Sequence, residues 1–167
     1  KALARTDSLT GVINRRYFFE LAQRENSRAH RHKQPFTVMF IDLDNFKDVN
    51  DVSGHMTGDA LLRLVGETMR KNLRQTDIIA RLGGDEFAVL LPETGPEPSV
   101  HIVMRKLQEN LLQVMEKNGW PVTFSIGAVT FLRPPSSVDE MIRLPDDLMY
   151  SVKGKGKNMI KYAVFDG

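Results

Sequence analysis

The chain has 167 residues, 41% of them hydrophobic, and a net charge of +2 from 23 Lys and Arg against 21 Asp and Glu. Those values fit one globular domain, exclude extensive disorder, and argue against a dedicated nucleic-acid binder, which would carry a concentrated basic face. There is no Cys, so a disulfide framework, a thiolate zinc site and a cysteine nucleophile are excluded, and no apolar run approaches the roughly 18 residues of a membrane span.

The opening Lys1-Ala2-Leu3-Ala4-Arg5 reads as the end of a helix already under way. Residues 1–6 are therefore expected to close an upstream linker helix of a longer protein, and residues 7–167 to form one domain. Asp7-Ser8-Leu9-Thr10-Gly11 reads as a polar turn. Asn14 caps a helix running to about His32, with Tyr17, Phe18, Leu21 and Ala22 on its apolar face, and Gln34-Pro35 stops it. Phe36 to Asp42 reads as a buried strand. A short helix follows at Asn45 to Val52, Gly54 and Gly58 bracket a loop, and Asp59 to Leu73 is helical, with Leu62, Val65, Met69 and Leu73 in period.

Ile78 to Leu82 and Glu86 to Leu91 read as two strands joined by Gly83-Gly84-Asp85, a hairpin signal because the tight turn needs positive φ. After a loop at Pro92 to Pro98 come a helix at Val100 to Lys117, a strand at Val122 to Phe131 and a loop at Arg133 to Ser136. Ser137 or Asp139 caps a last helix to about Val152, Gly154 and Gly156 end it, and Met159 to Val164 is a final strand. Helices interleaved with a hairpin imply a mixed sheet with helices on its faces. His30, His32 and His101 read as scattered surface histidines, and Trp120 beside Pro121 as core or turn.

Two clusters offer chemistry. In Asp42-Leu43-Asp44-Asn45-Phe46-Lys47 the strand alternation puts Asp42 and Asp44 on one face. Acids beside a buried strand are costly unless paired or bound to a cation, and a helix beginning next would aim free N–H groups at a phosphate. The bland alternative is that Asp44 or Asn45 caps that helix. In Gly83-Gly84-Asp85-Glu86-Phe87 adjacent acids sit on a glycine turn; the alternative is a solvated hairpin tip. Together they offer hard oxygen ligands of the kind magnesium takes with substrate phosphates, and metal-assisted phosphoryl transfer is the natural chemistry.

These residues resemble the GGDEF family, the diguanylate cyclases. Arg81-Leu82-Gly83-Gly84-Asp85-Glu86-Phe87 is similar to its signature. Further matching segments occur in the family's order: Asp7 to Gly11 with Asn14-Arg15-Arg16, Asp42 to Lys47 with Asn50-Asp51, Gly54-His55 with Gly58-Asp59, Ser125-Ile126-Gly127, and Tyr150 to Lys153 with Gly156-Lys157-Asn158. The resemblance runs from about Asp7 to Tyr162 and implies an α/β (α+β) fold, a central five-stranded mixed sheet surrounded by helices, like the nucleotidyl cyclases and the polymerase palm.

It further implies that two GTP molecules are joined into cyclic di-GMP with release of pyrophosphate, by a homodimer using magnesium or manganese. Asp42, the Leu43 carbonyl and Asp85 would hold the metal, and Asp85 or Glu86 would help activate the 3′-hydroxyl. Phe46 and Lys47 would line the phosphate loop, Asn50 and Asp59 would read guanine, and Lys153 and Lys157 would meet the triphosphate. Without the resemblance, Asp59 reads as a helix N-cap, and the lysines as a solvated tail. Arg74-Gln75-Thr76-Asp77 resembles the RxxD inhibitory site for the product; the alternative is a surface ion pair. The resemblance implies a bacterial signalling enzyme whose substrate places it in the cytoplasm, with no nucleic-acid partner and no membrane contact by these residues. Two departures stand out. Lys157 replaces an Arg, losing a bidentate fork, and Pro145 in the last helix is expected to kink or restart it. They motivate the alternative of a catalytically silent domain that binds GTP or cyclic di-GMP.

Overall fold

The computed structural model describes residues 4–96 and 98–167. In chain order the elements are β1 (Ile13–Asn14), α1 (Arg15–His32), β2 (Phe36–Asp44), α2 (Phe46–Ser53), α3 (His55–Asn72), β3 (Ile78–Gly83), β4 (Glu86–Leu91), α4 (Ser99–Lys117), β5 (Thr123–Phe131), α5 (Val138–Gly154) and β6 (Ile160–Phe165). The strands form one sheet in the order β1-β3-β4-β2-β5-β6. β2 is antiparallel to both β4 and β5, β3 is antiparallel to β4, and the outer pairs β1–β3 and β5–β6 are parallel. The sheet is mixed, as the interleaved hairpin implies.

β2 is central and apolar on both faces because both are covered. Phe36, Val38 and Phe40 share a core with Phe18, Ala22 and Ala29 of α1 and Met141 and Met149 of α5. Met39, Ile41 and Leu43 pack on the other face with Leu61, Leu62, Val65 and Met69 of α3 and Met104, Leu107 and Leu111 of α4. The sheet is therefore the middle layer of three.

Several expectations need correction. The sheet has six strands, not five. The extra strand, β1, is two residues long and pairs Ile13 with Ala80 and Asn14 with Arg81, too short for any alternation to mark it. Asn14 nevertheless caps α1, accepting from the Tyr17 N–H at 2.9 Å. Helix α3 begins at His55, so residues 55–58 are helical rather than a loop, and Asp59 lies within the helix rather than at its N-cap. Gly58 misleads the reader of the sequence here, since it is a close-contact position and not a breaker. Helix α5 runs unbroken through Pro145, which is buried. His101 is half-buried, with its ring 4.6 Å from that of Tyr162. Lys1 to Leu3 of the expected linker helix lie outside the described residues, and Ala4 to Thr6 are not helical, Thr6 bridging to Ile13.

α5 lies close on the sheet at one point. A Cβ at Gly127 would stand 2.2 Å from the Met149 nitrogen and 2.4 Å from the Pro145 carbonyl oxygen. Only glycine lets the helix backbone descend this far, which sets the height of the last turn of α5 and of Lys153 on it.

Candidate active site at the Asp44 end of the central strand

Asp42 sits opposite Glu86 of β4 on one side and Ser125 of β5 on the other, and Asp44 sits opposite Thr123. By alternation these residues share the face that Phe36, Val38 and Phe40 occupy further back, the α5 side. The apolar stripe thus gives way to acids and hydroxyls at the strand's end. The hairpin closes over it with Gly84 at φ 43°, a backbone conformation glycine tolerates, and the Leu43 N–H donates to the Asp85 carbonyl at 3.1 Å. Arg81 braces the turn by donating to the Gly84 carbonyl at 2.9 Å and pairing with Asp7 at 3.3 Å. Asp7 in turn binds the Thr10 N–H and hydroxyl. Burial pushes the Asp7 carboxyl up, but the Thr10 bonds and Arg81 outweigh it and hold it below its ordinary range.

Asp42 is the least satisfied acid of the group. Its Oδ2 lies 3.5 Å from Lys153 Nζ, while its Oδ1 is buried with no hydrogen-bond partner. Burial, and then the neighbouring Asp85 charge, push its carboxyl up to about 6 against the partial relief from Lys153. Glu86 is raised by burial and by the charges of Asp146 and Asp42, with Arg15 opposing. An unpartnered oxygen among crowded carboxylates is an arrangement that a bound cation would relieve. Among the described residues no three His, Asp or Glu side chains converge into a complete cage. Two carboxylates and a backbone carbonyl are the sparse donor set that suits magnesium, which keeps waters and substrate phosphates in its shell.

Asp44, by contrast, is fully buried and fully paired. It accepts from Thr123 Oγ1 and Ser125 Oγ at 2.7 Å each, from Lys153 Nζ at 2.8 Å and from the Asn158 N–H at 3.0 Å. Burial raises its carboxyl, but these bonds, that from Lys153 foremost, bring it below its ordinary range. The sequence places Asp44 on the face of Asp42 without revealing this role, because all its partners are 79 or more residues away in the chain. It is not the cap of α2; Asn45 holds the N-cap position, left-handed at φ 68° and with no side-chain cap bond.

The α2–α3 pair flanks this end. Phe46 is buried and Lys47 exposed at the start of α2. Asn50 leans over Gly58, where a Cβ would stand 1.8 Å from Asn50 Oδ1, and that oxygen is buried without a partner. Asp59 is half-buried one residue further along α3. Lys157 is exposed in the turn after α5, at φ 63°. Arg74 and Asp77 are not brought to this end. They lie before β3, whose six residues separate them from the hairpin by roughly 20 Å. They form an ion pair at 2.9 Å, and Arg74 also donates to Thr94 Oγ1 and the Pro92 carbonyl. A cavity of about 350 Å³ opens beside them, lined by Arg70, Leu21 and Ile79 among others.

Residues 4–159 match the family model described as diguanylate cyclase, GGDEF domain. The chain belongs to the GGDEF family. Among curated relatives, this GGDEF domain is 36% identical over 165 residues to the probable diguanylate cyclase DgcT of Escherichia coli strain K12, covering 96% of the chain and 36% of the relative. It is also 32% identical over 164 residues to the cyclic di-GMP phosphodiesterase NbdA of Pseudomonas aeruginosa, covering 97% of the chain and 21% of that protein. The chain thus spans about a third or less of these relatives. Among solved structures, the diguanylate cyclase SiaD of Pseudomonas aeruginosa, in complex with its activator SiaC, superposes with a TM-score of 0.86 at 31% identity, over 94% of this chain and 61% of that one. The GGDEF domain of DgcB from Caulobacter crescentus, in complex with c-di-GMP, superposes with a TM-score of 0.84 at 25% identity, over 97% of both chains. Fold and family are those the sequence motifs imply, and no helix among the described residues is long and apolar enough to cross a membrane.

Proposed function

We propose that this GGDEF domain is an active diguanylate cyclase, condensing two GTP into cyclic di-GMP and two pyrophosphates. The observation that carries the reading is the Asp42 carboxylate, with one buried oxygen unpartnered and its charge crowded by Asp85. Asp42, Asp85 and the Leu43 carbonyl would hold magnesium or manganese, which when bound supplies charge neutralisation at the phosphates. Asp85 or Glu86 would take the proton from the attacking 3′-hydroxyl. Burial and the neighbouring acids raise Glu86 above its ordinary range, the direction that makes a carboxylate a better proton acceptor.

The remaining residues bind and orient. The buried Asn50 Oδ1 has no partner and would accept from the guanine amine on a small side-chain rotation, and the Asp59 carboxylate can accept from the guanine N1–H. Adenine lacks that donor pair. Lys47 at the start of α2, Lys153 and Lys157 supply positive charge for the triphosphate. One domain holds one nucleotide in this scheme, so joining two requires two protomers face to face, each 3′-hydroxyl aimed at the other's α-phosphate. Arg74 and Asp77 would grip the product and restrain turnover.

The experiment is mass spectrometry of products after incubation with GTP and magnesium, on the free chain and on a coiled-coil-fused dimer. Cyclic di-GMP is expected, more of it per protomer from the fused dimer, and none from Asp85→Ala. Full activity of Asp85→Ala would refute the assignment. The similarity to a relative named as a phosphodiesterase favours a second reading, a silent domain that binds GTP or cyclic di-GMP. Bound GTP with no product from the fused dimer would select it.

A further inference from the structure

We propose that Asp44 is a positioning residue for the triphosphate-binding cations: through one buried carboxylate it aims Lys153 and fixes the turn that carries Lys157. The inference rests on the reading above, in that Lys153 and Lys157 are taken to meet a triphosphate.

A carboxylate offers about four acceptor positions, and all four of Asp44 are taken. Oδ1 accepts from Ser125 Oγ and Lys153 Nζ, and Oδ2 from Thr123 Oγ1 and the Asn158 N–H. Two partners belong to β5, part of the rigid sheet, and two to the end of α5 and the turn beyond it. Asp44 therefore couples a helix end and its turn to β2 and β5 of the sheet.

The consequence for Lys153 is directional. Its ammonium lies 2.8 Å from Asp44 and 3.5 Å from Asp42. The shorter contact is to the acid with no solvent exposure, and charge-assisted bonds in such surroundings are the strong ones. An ammonium has three donors, so an anchor on Asp44 leaves others free on the Asp42 side. Without Asp44 the lysine would collapse fully onto Asp42, whose Oδ1 would then face a competing cation. The consequence for Lys157 runs through the backbone. Lys157 and Asn158 both have positive φ, 63° and 51°, which costs non-glycine residues energy. The Asn158 N–H bond to Asp44 and the Lys157 N–H bond to the Val152 carbonyl at 3.1 Å hold that conformation.

A purely structural salt bridge would show itself in stability alone. The test therefore separates triphosphate from nucleoside. The probes are the α,β-methylene analogue of GTP, followed by titration calorimetry, and guanosine, followed by NMR shifts of Asn50 and Asp59. Asp44→Asn is expected to weaken the analogue about tenfold and guanosine by less than about twofold. Added to Lys153→Met, it should cost clearly less than its own tenfold, because the part of its effect that runs through Lys153 is already gone and only the part through the Lys157 turn remains. Thr123→Val keeps both charges and removes one support of the carboxylate. It should give a smaller loss of the same selectivity, and it decides the matter if Asp44→Asn shows no cooperative melt.

Equal loss of both ligands, no loss of the analogue, or losses that multiply would overturn the proposal. Lys153→Met impaired with Asp44→Asn unimpaired would overturn it while leaving the proposed function standing. A wild-type chain that does not bind the analogue at all would overturn both.

Discussion

Asp42 and Asn50 are the two site residues left with a buried unpartnered oxygen, and each yields a prediction. The ordinary carboxyl value of 3.8 rises to about 6 at Asp42. A folded value above the unfolded one means that the folded chain holds the proton more tightly. The stabilisation is full below pH 3.8 and is lost as pH rises through about 6. At pH 7.5 the ionised acid is a burden, so Asp42→Asn is expected to stabilise the cation-free chain by up to about 3 kcal/mol. The gain should vanish near pH 3.5. Thermal melts of both chains across that range check it, and magnesium should raise the melting temperature of the wild type but not of the variant. At Asn50 the lever is Gly58. Alanine there would meet the tip of a side chain rather than backbone, and alanine is favoured over glycine inside a helix by about 1 kcal/mol. Gly58→Ala is therefore expected to leave stability unchanged or slightly higher while GTP binding falls, because Asn50 must swing away. Paired denaturation and binding titrations would show this split, and an unchanged GTP affinity would count against Asn50 as a guanine reader.

At the scale of elements, α5 is the part whose placement the site depends on most. Pro145 cannot donate to the carbonyl one turn back, yet the helix continues through it, and the Pro145 carbonyl takes part in the close approach over Gly127. The contact at Gly127 is backbone to backbone on the helix side, so a methyl group there has no flexible neighbour to push aside. Gly127→Ala is expected to destabilise by about 1–3 kcal/mol or more, as over-packing does, and to lift Lys153 from Asp44. Urea denaturation measures the first effect, and the loss of triphosphate affinity in the surviving folded fraction the second.

For the whole molecule, β3 separates the two proposed sites along its length. Asp85 sits at the hairpin end of β3 and Asp77 at the other. Product held at Arg74 and Asp77 would lie too far away to obstruct GTP in the same domain. Inhibition would then have to act on how domains meet. Arg74→Ala is expected to raise the cyclic di-GMP concentration needed for inhibition by tenfold or more. Its side chain is 57% exposed, but Asp77 is only 3% exposed and Arg74 also bonds Thr94 and Pro92, so a stability cost of about 1–3 kcal/mol is expected beside the lost inhibition. Rate measurements with added product, paired with thermal melts, distinguish a lost inhibitory site from a damaged fold.

The sequence by itself determined the fold class, the hairpin, the long helices and the membership of Asp42, Asp85 and Glu86 in one chemical group. Those are properties of local pattern: alternation in strands, period in helices, paired glycines at a tight turn, and motifs in a fixed order. The tertiary structure alone decided how each acid is partnered. Asp42 and Asp44 are two residues apart on one face and alike in pattern, but one has an unpartnered oxygen and the other has none. The difference comes from β5 and α5, which reach Asp44 from far along the chain. It was equally beyond the sequence to show that Gly58 is a seat for Asn50 within a helix, or that a two-residue strand completes the sheet edge. A contact between distant segments leaves no period and no spacing, and only packing reveals it.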